Sequence, residues 1–217
     1  MSEPAVRDGW GRRSRAPRGQ GGRLRQEILE ATERLLLETG DQDAVSIRAV
    51  AESVGISPPS IYMHFSDKLE LIFAVCQRHL DDLDRLLSEA AAGVTDPVEA
   101  LRRRGRAYVG FGLDQPEVYR ILFMIRPTAS PPDWLHSRLL ESAAFLHTLE
   151  VVQAALDAGA IQTGPAELVA VGLWAAIHGL TSLLIAKPDL FGPGGDETLE
   201  YLLDVLIAGI TAPPAPR

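Results

Sequence analysis

The sequence predicts an all-α fold: an N-terminal three-helix helix-turn-helix domain followed by a larger helical domain. Three observations carry this prediction. Apolar residues recur at spacings of three and four along most of the chain, and no stretch alternates as a strand would. Ser, Asp, Gly and Pro fall where the periodic segments begin and end. With 217 residues, 46% of them hydrophobic, the chain is long enough to bury a core in one small and one medium domain.

Leu24, Ile28, Ala31 and Leu35 predict a first helix from Arg23, closed by Gly40. Ser46 is expected to cap a second helix that buries Ile47, Val50 and Val54 and turns Arg48 outward. Gly55 suits a left-handed stop, and Ser57 suits the cap of a short third helix. Pro58 and Pro59 then lie in its first turn, where a missing N–H does little harm. Ser66 is expected to cap a long helix with the stripe Leu69, Ile72, Phe73, Cys76, Leu80, Leu83 and Leu87, ending near Gly93.

Asp96-Pro97-Val98-Glu99 reads as a capping-box start for a helix running to about Gly112. Its basic run Arg102-Arg103-Arg104, with Arg106, is expected to be a solvated face paired with acidic residues. Pro116 opens a short apolar helix through Tyr119, Leu122 and Phe123, and residues 127–132 form a proline-rich loop. Asp133 is expected to begin a long helix through Trp134, Leu139, Phe145, Leu149 and Leu156, ended by Gly159. Residues 166–186 are long and apolar enough to raise a membrane span. They read instead as a buried helix, because Glu167 and His178 lie inside and no other segment qualifies; no membrane partner is expected. Small residues at 172, 176 and 179 would allow a close neighbour. A last helix carries Leu199, Leu202, Leu203, Leu206 and Ile210. Two terminal helices with this much apolar surface suggest a two-fold helical interface, hence a homodimer.

Charge is divided unevenly. The net charge is −8, yet residues 1–25 hold seven arginines against Glu3 and Asp8, a net of +5, which leaves −13 on the rest. A basic arm over residues 1–22, rich in Gly, Arg, Pro and Ser, is expected to be disordered and suited to phosphate. The single Cys76 excludes a disulfide framework and Cys-rich metal sites; with no apolar signal core near the N-terminus, a cytoplasmic setting is expected. Cys76 itself lies at helical spacing with Ile72, Phe73 and Leu80, which predicts a buried structural thiol. No Gly-rich phosphate loop, nucleophile elbow or HExxH motif appears, so no enzyme, cofactor or metal is expected.

The residues from Ala51 to Lys68 carry the functional signal. A helix, a glycine turn and a short polar-faced helix form the helix-turn-helix pattern that reads DNA. Ser46-Ile47-Arg48-Ala49-Val50-Ala51, then Val54-Gly55-Ile56-Ser57, Ile61-Tyr62, His64-Phe65 and Lys68 resemble the DNA-binding domain of TetR-family transcriptional regulators over residues 25–71. Leu173-Trp174-Ala175-Ala176-Ile177-His178-Gly179-Leu180 is similar to the Trp-x3-His-Gly segment of one C-terminal subgroup. The resemblance implies residues 23–68 as the DNA-binding domain and residues 69–217 as a ligand-binding and dimerisation domain. It implies phosphate contacts from Arg48, Tyr62, His64 and Lys68, and a groove-facing surface of Ser57, Pro58, Pro59, Ser60 and Met63. Pro58-Pro59 stand where the family often has Lys-Gly, which shifts base reading toward apolar contact with thymine methyls. The basic arm would compensate in the adjacent minor groove.

The helices over residues 108–174 and beyond carry Tyr108, Phe111, Tyr119, Phe123, Met124, Trp134, Phe145, His147, Trp174 and His178. Apolar walls with few polar groups suit a small-molecule site, for which Tyr108, Phe111, Phe123, Trp134, Phe145, Trp174 and His178 are the candidates. The expected protein is a repressor that binds a pseudo-palindromic double-stranded operator as a dimer, its recognition helices about 34–36 Å apart. A small apolar or aromatic effector would release it. An activator, a ligand-independent DNA-binding regulator, or a helical interaction or enzyme protein with a vestigial helix-turn-helix are the alternatives.

Overall fold

In the computed structural model, residues 21–124, 140–162, 164–190 and 194–211 are described. Every regular element among them is helical. Most of the arm, the proline-rich loop and Trp134 lie outside the described residues. The chain divides into two compact units, Met1–Cys76 and Gln77–Arg217.

The first unit begins with α1 (Gly21–Thr39), which buries Ile28, Leu29, Ala31, Thr32 and Leu36. Leu35 is only half-buried, because the inward face passes through Leu36. Gly40 ends the helix at φ 62°, its N–H donating to Leu36 O at 2.9 Å. In α2 (Ile47–Val54) the Ser46 hydroxyl accepts from Ala49 N at 3.1 Å, as its cap position requires. Val50 and Ala51 are buried, whereas Ile47 and Val54 are half-buried. Gly55, at φ 74°, closes α2 as Ile56 N reaches back to Ala51 O. One short turn, α3 (Pro58–Ile61), follows.

The long helix α4 (Lys68–Ala90) is capped one residue later than expected. Asp67, not Ser66, supplies the acceptor: its Oδ1 takes Glu70 N at 2.8 Å, and Glu70 Oε2 takes Ser66 N at 2.6 Å. A carboxylate suits the partly positive start of a helix better than a hydroxyl. The buried positions of α4 include Leu71 and Val75 beside Ile72, Leu80, Leu83 and Leu87. Leu69, Phe73 and Cys76 are half-buried. Burial pushes the Cys76 thiol up to about 12, so it stays protonated at neutral pH.

The second unit is built around α5 (Pro97–Asp114), which packs on α7 (Ala143–Asp157), α8 (Ala166–Ala186) and α9 (Gly195–Thr211), with α6 (Pro116–Phe123) folded against its end. Asp96 caps α5 through Val98 N at 3.0 Å. Glu99 does not complete a capping box; its carboxylate takes Arg103 Nε at 2.9 Å, one helical turn away. The helix expected from Asp133 to Gly159 is broken at Glu141 and Ser142. Ser142 sits at φ −65°, ψ 145°, a non-helical conformation that lets its hydroxyl cap the new helix α7.

Helix α8 departs from the prediction of burial on all sides. It is long and apolar enough to cross a membrane by length and composition, yet only 28% of its most apolar stretch is buried within the chain. Leu168 is 68% exposed, and Val171 and Leu183 on the same helix are exposed as well. The small residues at 172 and 179 meet no close neighbour. Close approach occurs on α5 instead, where a Cβ at Gly105 would stand 2.9 Å from Leu203 and one at Gly112 would collide with Thr181.

Candidate functional site

Helix α3 and the residues on either side of it leave one face exposed. Ile61 is fully buried, and Phe65 beneath it carries the Arg25 guanidinium 4.8 Å above its ring centre. Ser57, Pro59, Tyr62 and Met63 are exposed, Met63 to 84% and Tyr62 to 54%; Pro58, Ser60 and His64 are half-buried. The Ser57 hydroxyl pairs with the Ser60 hydroxyl at 2.9 Å instead of capping the backbone. The reason is local: Pro58 and Pro59 have no N–H, and Ser60 N already donates to Ser57 O at 2.9 Å. Arg48 is exposed on α2, and Lys68 Nζ lies 3.5 Å from Asp43 O.

The basic run of α5 faces acidic residues of α9. Arg102 donates to Asp204 at 2.6 Å, and Arg106 grips Glu200 with two bonds of 2.6 and 2.7 Å. That grip holds the Glu200 carboxyl below its usual range. Arg104 corrects the expectation of a solvated face: it is 4% exposed and turned into the second unit.

A cavity of about 90 Å³ lies within the second unit, among α4, α5, α7, α8 and α9. Tyr108, Phe123, Phe145 and Trp174 line it, as the sequence led one to look for. Phe111 does not; it is buried in the mixed aliphatic and aromatic core. His178 does not reach the wall either. Its ring is tied into a polar cluster, with Nδ1 2.5 Å from Tyr119 OH and 3.3 Å from Tyr108 OH. Trp174 Nε1 donates to Tyr108 OH at 3.1 Å, so the cluster touches the cavity through Tyr108 and Trp174. Arg104, Ser142 and Thr148 on the wall were not foreseen. One signal could have found Arg104: the spacing Leu101, Arg104, Tyr108, Phe111 places it on the apolar stripe of α5.

Burial lowers the His178 pKa, because a charged ring there would lose its hydration. The folded state therefore binds fewer protons than the unfolded chain once pH drops below the ordinary imidazole value of about 6.5. Stability from this group is full above that pH and declines as pH falls. Thermal denaturation between pH 5 and 8 checks it: His178→Gln is expected to flatten the acidic limb, and an unchanged limb would assign it to other groups.

A short helix with an exposed face after a glycine turn, in a chain whose second helical unit holds an apolar cavity, defines a helix-turn-helix regulator built on two helical units. Comparisons with known proteins specify the class further. Residues 28–75 match the family described as "Bacterial regulatory proteins, tetR family", and residues 101–206 match "Tetracyclin repressor-like, C-terminal domain". The chain belongs to the TetR family of DNA-binding transcriptional regulators. It is 29% identical over 162 residues to the HTH-type transcriptional activator FasR of Mycolicibacterium smegmatis, covering 75% of this chain and 71% of that protein. A protein of unknown function from Rhodococcus sp. RHA1 shares the fold at a TM-score of 0.69 and 25% identity, over 91% of this chain and 100% of that one. A TetR family transcription regulator from Marinobacter aquaeolei VT8 aligns at a TM-score of 0.67 and 23% identity, over 89% of this chain and 98% of that one.

Proposed function

We propose that this protein binds a pseudo-palindromic operator as a homodimer and that a small apolar molecule in the second-unit cavity changes its affinity for DNA. Repression relieved by the effector is the leading form of this reading. The observation that carries it is the presence of an exposed face from Ser57 to Met63 together with a partly open apolar cavity lined by Tyr108, Phe123, Phe145 and Trp174. On this reading Arg48, Tyr62, His64 and Lys68 hold phosphates, while Ser57, Pro58, Pro59, Ser60 and Met63 face the bases. Exposed Leu168, Val171 and Leu183 on α8, with Tyr201 and Val205 on α9, supply the apolar face for a second copy. Trp174, His178 and Gly179 serve as the marker of the Trp-x3-His-Gly subgroup.

Helix α4 carries buried Leu71 and Val75 of the first unit and cavity-lining Leu80, Leu83 and Leu87 of the second. An effector acts only if it binds the DNA-competent and DNA-free states differently, and α4 is the element through which the reading passes that difference. A second form, activation, is favoured by the name of the FasR relative.

The test is a gel-shift series with genomic fragments at several salt concentrations. Lys68→Ala is expected to weaken binding roughly tenfold on every sequence and to lower the salt slope by about 1. Tyr62→Ala should weaken it less steeply in salt. Failure of the wild type to retard any fragment specifically at moderate salt would reject the reading. Reporter expression after gene deletion decides the sign: a rise means repressor, a fall means activator.

A further inference from the structure

We infer that the effector of this cavity is an apolar monocarboxylate, its carboxylate met by Arg104 and its aliphatic tail by the Leu and aromatic walls. The inference rests on the reading of the second unit as an effector-binding domain and names the chemistry that the cavity would select.

Arg104 is 4% exposed, and among the described residues it forms no ion pair within 4 Å. Its acceptors are all neutral: Thr148 Oγ1 at 2.9 and 3.2 Å, Ala144 O at 3.3 Å, and Ser88 Oγ at 3.5 Å. A guanidinium has five N–H donors. These contacts engage Nε, both hydrogens of Nη2 and one of Nη1, leaving the second Nη1 hydrogen without an acceptor among the described residues. Asp84 and Glu150 lie near enough to favour the charged form, but neither hydrogen-bonds it, and Asp84 is held by His147 Nδ1 at 2.8 Å.

A buried cation that no anion touches is a costly choice, since a methionine of similar length would fill the space without desolvating a charge. The cost is recovered when an anion arrives in that low-dielectric setting, where a charge-assisted bond to a guanidinium is at its strongest. Arg104 shares the cavity wall with the hydroxyls of Thr148 and Ser142, so the polar groups of α5 and the start of α7 converge. Most of the remaining wall is aliphatic, including Leu80, Leu83, Leu173, Leu203 and Leu206. The cavity is partly open, so an aliphatic chain longer than its roughly 90 Å³ would hold can extend out of it.

The experiment titrates the full-length protein with octanoate and with octanamide, its neutral isostere, by calorimetry, and repeats both with Arg104→Met. Octanoate is expected to bind the wild type about tenfold or more tightly than octanamide, a margin set by the charge-assisted contact. Arg104→Met should erase that margin, bringing octanoate down to the affinity of octanamide. Equal affinity for the two compounds, or binding of neither, overturns the inference. So does a margin that survives in Arg104→Met. The wild-type comparison decides even if the variant fails to fold. If the ligand-free protein retards no operator fragment, the functional reading itself falls; if it retards DNA but ignores the acid, only the present inference does.

Discussion

Phe65→Ala is expected to abolish DNA retardation at concentrations that saturate the wild type, because it removes the ring on which the first unit closes. Phe65 is 2% exposed, Ile61 beside it is fully buried, and Arg25 lies over the ring face. Truncating a buried phenylalanine costs about 3–5 kcal/mol. A unit of this size has little stability to spare, since small domains bury a smaller share of their surface. Hydrogen exchange gives the decisive readout: protection should collapse over α1 to α3 and persist over α5, α7 and α8. A variant that retains DNA affinity within twofold would show that Phe65 is peripheral to the unit's stability.

Gly112→Ala is the second large effect, and it acts in the other unit. A Cβ at 112 would collide with Thr181 Cγ2 and stand 3.0 Å from Tyr119 Cδ2. Neither neighbour can step aside. Thr181 is fully buried, β-branched and bonded through its hydroxyl to Ile177 O at 2.8 Å. Tyr119 is fully buried and held by His178. Overpacking of this kind costs about 1–3 kcal/mol, a fall of several degrees in Tm for a chain of this size. Gly110→Ala, two residues earlier on the same helix, is the control: its Cβ would meet nothing within 4 Å. That substitution should leave stability unchanged or raise it by up to about 1 kcal/mol through helix propensity. Equal Tm shifts in the two variants would refute the packing argument.

The comparison of residues with structure shows where local chemistry decides and where it does not. Gly40, Gly55, Ser46 and Asp96 act where their chemistry predicts, because positive φ and capping depend only on the neighbouring backbone. Ser66 and Asp67 are both able to cap, and the carboxylate is the one that meets the partly positive start of the helix. Arg104 shares a basic run with Arg102, Arg103 and Arg106, and only its register on α5 sets it apart from them. Phe111 and Phe123 look alike in sequence, yet one fills the core and the other lines the cavity. That distinction belongs to tertiary packing alone. The exposed apolar residues of α8 carry the same lesson, since hydropathy reports a preference for cover without saying which surface supplies it.

The two prolines that open α3 have a consequence for how an anion can be held there. The start of a helix ordinarily offers free amide hydrogens and the positive end of its dipole to a phosphate. Pro58 and Pro59 have none to give, and the Ser60 amide is already spent on Ser57 O. The leading edge of α3 thus presents carbon and two paired hydroxyls, of which the accepting one keeps its O–H to give. A phosphate arriving there can draw on that one hydroxyl, and its remaining grip must come from side chains elsewhere in the unit.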